Sequence, residues 1–218
     1  MIETLFPEGV HTGSLAEEVD PALLYPEEAS CIRSAVPARR REFAQGRLCA
    51  RRVLAELGIR DFPLLKGEDR APIWPEGIVG SLTHSAGYCA AAVARAEGFS
   101  SLGIDVETAE PLAAELASLV CLESELARLR ELSEASRGIV AKLLFSAKET
   151  VFKSVYPVTR VFLEFHDCEI GLDEDRGMFT AVLRNPRLPL SWRGTELRGR
   201  FARDPDRLFT GIALPSRT

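Results

Sequence analysis

The chain is poor in the residues that build many ready-made sites. It has 3 histidines in 218 residues, too few for a histidine-rich zinc centre. Its five cysteines, Cys31, Cys49, Cys89, Cys121 and Cys168, form no C-x-x-C pair and are odd in number. Reduced thiols of a cytosolic protein are expected, with Cys49 and Cys89 in apolar surroundings. No G-x-x-x-x-G-K-S/T loop occurs, which argues against a P-loop ATPase. No G-x-S-x-G turn occurs either, so a nucleophile elbow is excluded. No apolar run approaches the ~20 residues of a membrane-spanning helix. The opening "MIETLFPEGV" lacks a basic stretch followed by a long apolar one, so no secretory leader is expected and the cytoplasm is the expected location. An excess of positive charge is missing as well. Lys plus Arg number 27 against 32 Asp plus Glu, for a net charge of −5. With no interleaving of aromatic and basic residues, that balance argues against a general nucleic-acid surface. Any basic site must be local.

What remains is an ordinary globular composition, 46% apolar and 27% charged. The length suits one large domain or two small ones packed together. No short-period repeat or low-complexity segment stands out. "PARRREFAQGRLCARRVLAELG" (37–58) predicts a helix, with Pro37 at its start and Gly58 at its end. Residues 61–77 read as a loop, 78–94 as strand, turn and strand, and 101–107 as a further strand. In the second half, "PLAAELASLV" and "ESELARLREL" are helical, and 136–157 predicts a longer helix stopped by Pro157. Four alternating segments then predict an antiparallel meander. Helices and strands are segregated, so the fold class is α+β with two packed subdomains. The break is expected after Glu107, dividing 1–108 from 109–218.

Five stretches carry chemistry. In "SLGIDVETAEPL" (101–112), Asp105 and Glu107 sit two apart on a strand, so both carboxylates share one face and the aliphatics the other. Either that face is solvated or something positive lies between the acids. Arg40, Arg47 and Arg51 form one stripe of the first long helix, flanked by Arg39, Arg41 and Arg52. This is a solvated face with ion pairs or a local anion site. In "KGEDRAP" (66–72), Lys66 and Arg70 bracket a short glycine-containing loop; backbone amides and cations can converge there on a phosphate. In "GSLTHSAG" (80–87), Thr83 and His84 offer a hydroxyl and an imidazole at a strand end. In "FSAKETVFK" (145–153), Lys148 adjoins Glu149, which precedes Lys153 by four, a common helix ion pair. Together Asp105, Glu107 and Glu149 give three carboxylates with no cysteine or histidine partner. That set suits Mg2+, with Mn2+ as the alternative oxygen-seeking ion.

The order of "GRLCAR" (46–51), "RAPIWPEGIVGSLTHS" (70–85), "LGIDVE" (102–107) and "FSAKETVFK" (145–153) resembles that of the 4′-phosphopantetheinyl transferases. The likeness is to the enterobactin/surfactin-type branch, which is similar to two fused copies of the shorter holo-acyl-carrier-protein synthase. It implies two pseudo-symmetric subdomains, each an antiparallel sheet on helices, with the active site between them and the N-terminal one mainly binding coenzyme A. It implies that coenzyme A donates its phosphopantetheine arm to a serine of an acyl- or peptidyl-carrier protein, releasing adenosine 3′,5′-bisphosphate. By the same likeness, Asp105, Glu107 and Glu149 hold the metal, and Asp105, Glu149 and Lys153 are catalytic. Thr83 and His84, Arg39 or Arg40, Arg47, Lys66 and Arg70, with Lys148 and Lys153, meet coenzyme A. Leu119, Val120, Leu122 and Leu143 either meet the carrier or pack in the core. A monomer is expected, since both halves supply one site. Many relatives carry Trp where Phe145 stands; either packs as an apolar anchor. The alternative is a coenzyme A-binding regulator without turnover.

Overall fold

The computed structural model describes residues 1–216. A 3-10 turn at Ile2–Leu5 leads to strand β1 (Val10–Leu15), helix α1 (Pro26–Ser30) and helix α2 (Pro37–Glu56). Strands β2 (Ile78–Ser85), β3 (Tyr88–Arg95) and β4 (Phe99–Thr108) follow. Helices α3 (Ala114–Val120), α4 (Glu123–Arg130) and α5 (Glu134–Thr159) come next, then strands β5 (Cys168–Asp173), β6 (Met178–Leu183), β7 (Glu196–Arg203) and β8 (Arg207–Pro215). The strands make two antiparallel sheets, β1-β3-β2 and β4-β8-β7-β6-β5. The α+β class and the meander agree with the sequence reading. Pro157 does not stop α5, which runs to Thr159. A proline in the last turn costs one ladder bond where the ladder is already running out. The stop is Arg160, left-handed at φ 56. Strand β4 precedes the expected break at residue 108 yet hydrogen-bonds to β8 in the second sheet.

The two halves repeat one buried arrangement. Glu28 is fully buried. It accepts from the Tyr25 amide at 3.0 Å, the Leu64 amide at 2.9 Å and Arg51 Nη2 at 3.2 Å. Glu125, also fully buried, accepts from the Leu122 amide, the Ile170 amide and Lys148 Nζ, each at 2.7 Å. Glu28 and Glu125, Arg51 and Lys148, and the helix starts Pro37 and Glu134 are all 97 positions apart. In each half a glutamate on a short helix docks a long one and caps its own helix start. A buried carboxylate persists only when paired and hydrogen-bonded this completely.

The site is positioned by how β4 is sandwiched. Leu102, Ile104 and Val106 pack with Ala90, Ala92 and Ala94 of β3. Small alanines there let the two layers approach. The opposite face of β4, bearing Gly103, Asp105 and Glu107, looks toward α5. A Cβ on Gly103 would lie 2.2 Å from the Thr150 carbonyl oxygen, so the missing side chain lets α5 come close enough to serve the acids. Gly103→Ala is expected to destabilise the fold by about 1–3 kcal/mol through overpacking. Thermal unfolding followed by circular dichroism checks this, and an unchanged melting point would contradict the close approach.

Candidate active site at the seam of the two halves

Asp105 is buried and takes three side-chain donors: Thr83 Oγ1 at 3.0 Å, Ser146 Oγ at 2.8 Å and Lys153 Nζ at 2.7 Å. Ser146 also meets Thr210 Oγ1 at 2.9 Å, and Thr150 meets the same hydroxyl at 2.7 Å. These hydroxyls line the face of α5 turned to the second sheet and fix the Asp105 carboxylate. Strand β2 is not laddered to β4. Instead Ser81 Oγ accepts from the Ile104 amide at 3.1 Å and Thr83 Oγ1 from the Val106 amide at 3.4 Å. Two hydroxyls thus join the halves beside Asp105.

Glu107 and Glu149 complete the acidic group. Burial holds Glu107 above the usual carboxylate range, and the Asp105 charge adds to this, against Lys142 at 3.5 Å. Burial likewise raises Glu149; Lys153 opposes the rise, and Asp105 and Glu107 reinforce it. The Asp105 charge thus acts on both glutamates. Among the described residues, no three histidine, cysteine or acidic side chains are already gathered as a metal cage. The donor chemistry still fits a hard cation: the available ligands are oxygens, and two of the three acids are held above their usual range, partly by neighbouring negative charge.

Cations collect on the other side of β2. A cavity of about 360 Å³ is lined by Arg39, Arg47, Lys66, Arg70 and His84, with Phe43, Pro72 and Leu82. Arg47 is buried on α2, its guanidinium 3.9 Å from the Phe43 ring centre. Its Nε is buried without a hydrogen-bond partner, and burial lowers its pKa to about 10. Arg39 Nη1 lies 2.9 Å from His84 Nε2. A guanidinium only donates, so Nε2 accepts and the imidazole is neutral, its proton on Nδ1. Desolvation, then the Arg39 charge, pushes His84 below its ordinary range. Long-range 15N–1H NMR should therefore show the Nδ1–H tautomer at neutral pH. A protonated ring there would contradict the Arg39 contact.

A second cavity, about 500 Å³, shares Arg70, Pro72 and Leu82 with the first and runs along the seam. Trp74, Gly80, Phe152, Lys153, Tyr156 and Phe162 also line it. The two cavities are therefore neighbours, and Lys153, which lines the second, is bonded to Asp105.

The structure sorts the sequence candidates. Asp105, Thr83 and Lys153 touch one another, and Arg39, Arg47, Lys66, Arg70 and His84 share a cavity. Thr83 is buried and engaged by Asp105, Val106 and Lys153, so it holds other groups in place. Two further coenzyme A candidates line neither of these cavities. Arg40 leaves the cavity and donates to the Ala35 carbonyl at 3.1 Å and to the Arg33 carbonyl. Lys148, expected to meet coenzyme A, is bonded inside the C-terminal half. Its side chain is 1% exposed, and its three protons go to Glu125, the Val120 carbonyl and the Phe165 carbonyl. Lys153 also makes three internal contacts, but its side chain is 24% exposed and borders the seam cavity. Of the apolar candidates, Leu119 is exposed, Leu122 partly so, and Val120 and Leu143 are buried. Lys142 and Ser146 were missed, although 142, 146, 149 and 153 fall on one helix stripe. No helix of the described residues is long and apolar enough to cross a membrane.

Fold and site define a class: a two-lobed α+β protein with a cation-lined cavity on one lobe and a group of carboxylates at the lobe seam. Two family models match the chain in succession. Residues 27–94 match the 4′-phosphopantetheinyl transferase N-terminal domain and residues 101–207 the 4′-phosphopantetheinyl transferase superfamily. The chain is 43% identical to 4′-phosphopantetheinyl transferase Svp of Streptomyces mobaraensis, across 98% of this chain and 89% of the relative. It is 36% identical to 4′-phosphopantetheinyl transferase PptT of Mycobacterium tuberculosis, across 87% and 85%. It is 32% identical to enterobactin synthase component D of Escherichia coli, across 69% and 74%. The chain belongs to the 4′-phosphopantetheinyl transferase family.

Proposed function

We propose that this chain moves the phosphopantetheine arm of coenzyme A onto a serine of an apo acyl- or peptidyl-carrier protein and releases adenosine 3′,5′-bisphosphate. The carrying observation is the buried guanidinium of Arg47, with an unpartnered Nε, on a cavity shared with Arg39, Lys66, Arg70 and His84. In a chain of net charge −5, so many cationic and imidazole groups on one small cavity suit a phosphate end. The seam cavity, mostly apolar, takes the pantetheine arm and ends at Lys153.

Asp105, Glu107 and Glu149 are the residues that would hold Mg2+, or Mn2+. The bound ion supplies neutralisation of phosphate charge. Glu149, directly or through water, or Glu107 through water, takes the proton of the carrier serine as its oxygen attacks phosphorus. Lys153 exchanges an internal acceptor for a phosphate oxygen and steadies the charge on the departing bisphosphate. Thr83 and Ser146 hold Asp105 still throughout. The exposed Leu119, beside Glu149 on one open cavity, offers the carrier an apolar contact. The chain acts as a monomer in the cytoplasm on this reading.

Arg47→Ala should raise the KM for coenzyme A about 10- to 100-fold, since a hydrogen bond to a charged group contributes about 1.5–3 kcal/mol. Dephospho-coenzyme A, which lacks the 3′-phosphate, should lose little from the same change. Arg40→Ala should leave both KM values near wild type. An unchanged KM in Arg47→Ala would remove Arg47 from the phosphate end. The transfer is tested by intact-mass spectrometry of an apo carrier domain with the chain, coenzyme A and Mg2+. A gain of one phosphopantetheine is expected; tight coenzyme A binding without any gain on acyl- or peptidyl-carrier domains would favour a regulator instead.

A further inference from the structure

The Lys66–Pro72 loop carries two of the cavity's cations, and its own bonds explain its shape but not its place. Gly67 N donates to the Ala71 carbonyl at 2.9 Å, Arg70 N to the Gly67 carbonyl at 3.0 Å and Ile73 N to the Leu65 carbonyl at 3.0 Å. All of these bonds are internal. Arg70 itself is left-handed, at φ 68, a conformation that a side chain of this size keeps only when its surroundings hold it. The turn's own bonds enclose Arg70; across the seam the loop is held by one ion pair. Arg160 Nη1 donates to Asp69 Oδ2 at 3.1 Å. Among the described residues this is the loop's one hydrogen bond or ion pair to the C-terminal half.

Both ends of that pair are anchored. Asp69 Oδ1 accepts from the Ala71 amide at 3.0 Å, which fixes the carboxylate to the loop. Arg160 closes α5, its amide bonded to the Tyr156 carbonyl at 2.8 Å and its guanidinium 5.9 Å from the Tyr156 ring centre. Helix α5 is the element that carries Glu149 and Lys153. Asp69, Arg70, Lys153 and Tyr156 all line the seam cavity. The pair therefore joins the loop of the cation-lined cavity to the helix of the acidic group.

We propose that Asp69 and Arg160 are positioning residues: a strap across the seam that sets Arg70, and with it Lys66, against the substrate's anionic end. This rests on the function proposed above. The Arg160 side chain is 70% exposed, and exposed ion pairs contribute little to global stability. The consequence of the pair is placement, so its loss is read in binding and in loop opening rather than in the melting point.

The test compares wild type, Arg160→Met and Arg160→Lys. Hydrogen exchange of the 64–74 segment, measured without substrate, is expected to quicken about threefold to fivefold in Arg160→Met at an unchanged melting point. The KM for coenzyme A is expected to rise about threefold to fivefold with kcat within about twofold. Arg160→Lys, which keeps the charge, should recover most of both. Unchanged exchange overturns the strap. Faster exchange with an unchanged KM overturns its positioning role. If exchange quickens while the wild type fails to use coenzyme A, the strap stands and the functional reading falls.

Discussion

Glu149→Gln should lower kcat for carrier modification by about 10²–10⁴-fold while leaving coenzyme A affinity within about twofold. Glutamine keeps the size and one acceptor oxygen of the side chain but removes its charge and its basicity. The groups proposed to hold the phosphate lie in another cavity, on α2, β2 and the 66–72 loop, so they should be undisturbed. The fold should not suffer. Burial holds the folded-state pKa of Glu149 above its ordinary value. Its ionised form therefore costs stability, and that cost grows as pH rises from the unfolded pKa through the folded one. Glutamine removes the cost, so in metal-free buffer the variant should melt no lower than wild type at neutral pH. Initial rates by intact mass, coenzyme A titration and a melting curve together check this. Equal losses of kcat and of coenzyme A affinity would contradict a catalytic role.

Lys148→Met should give the largest loss of stability, about 3–5 kcal/mol, because it strands the fully buried Glu125 without its cation. For a chain of this length that is a fall of roughly 6–20 °C in melting temperature. The fraction that remains folded should bind coenzyme A as wild type does. Lys153→Met should show the reverse pattern, with turnover lost and the melting point held more nearly constant. The two lysines lie five positions apart on α5, and only the structure separates their roles. A normal melting point with weakened coenzyme A binding in Lys148→Met would restore it to the binding site.

These contrasts show what the sequence could carry. The period of two in "GIDVE" places Asp105 and Glu107 on one face whatever lies opposite, so that pair was legible. The arginine stripe was legible only as a stripe. Choosing Arg39 over Arg40 requires the rotation of α2 against β2, which depends on side chains such as Phe43 and Leu82 packing from distant segments. Lys148 and Glu149 are neighbours, and successive helix residues point about 100° apart; one had to face away from the site, but not evidently the lysine. Glu28 and Glu125 look like surface charge in the sequence. They are buried because each completes a local cap and a distant ion pair, contacts 23 residues long in both halves. The duplication that the family resemblance implies could not be read from the residues themselves for the same reason. Its signature is a spatial pattern of one acid, one cation and two amides, with Arg51 in one half and Lys148 in the other.

The central claim is most directly tested by counting both products of one reaction. An apo peptidyl-carrier domain would be incubated with the chain, coenzyme A and Mg2+, with intact mass following the holo-carrier and chromatography following adenosine 3′,5′-bisphosphate. The expected result is equal amounts of the two at every time, with both abolished by EDTA. Bisphosphate without holo-carrier, or neither product on peptidyl- and acyl-carrier domains alike, would contradict it.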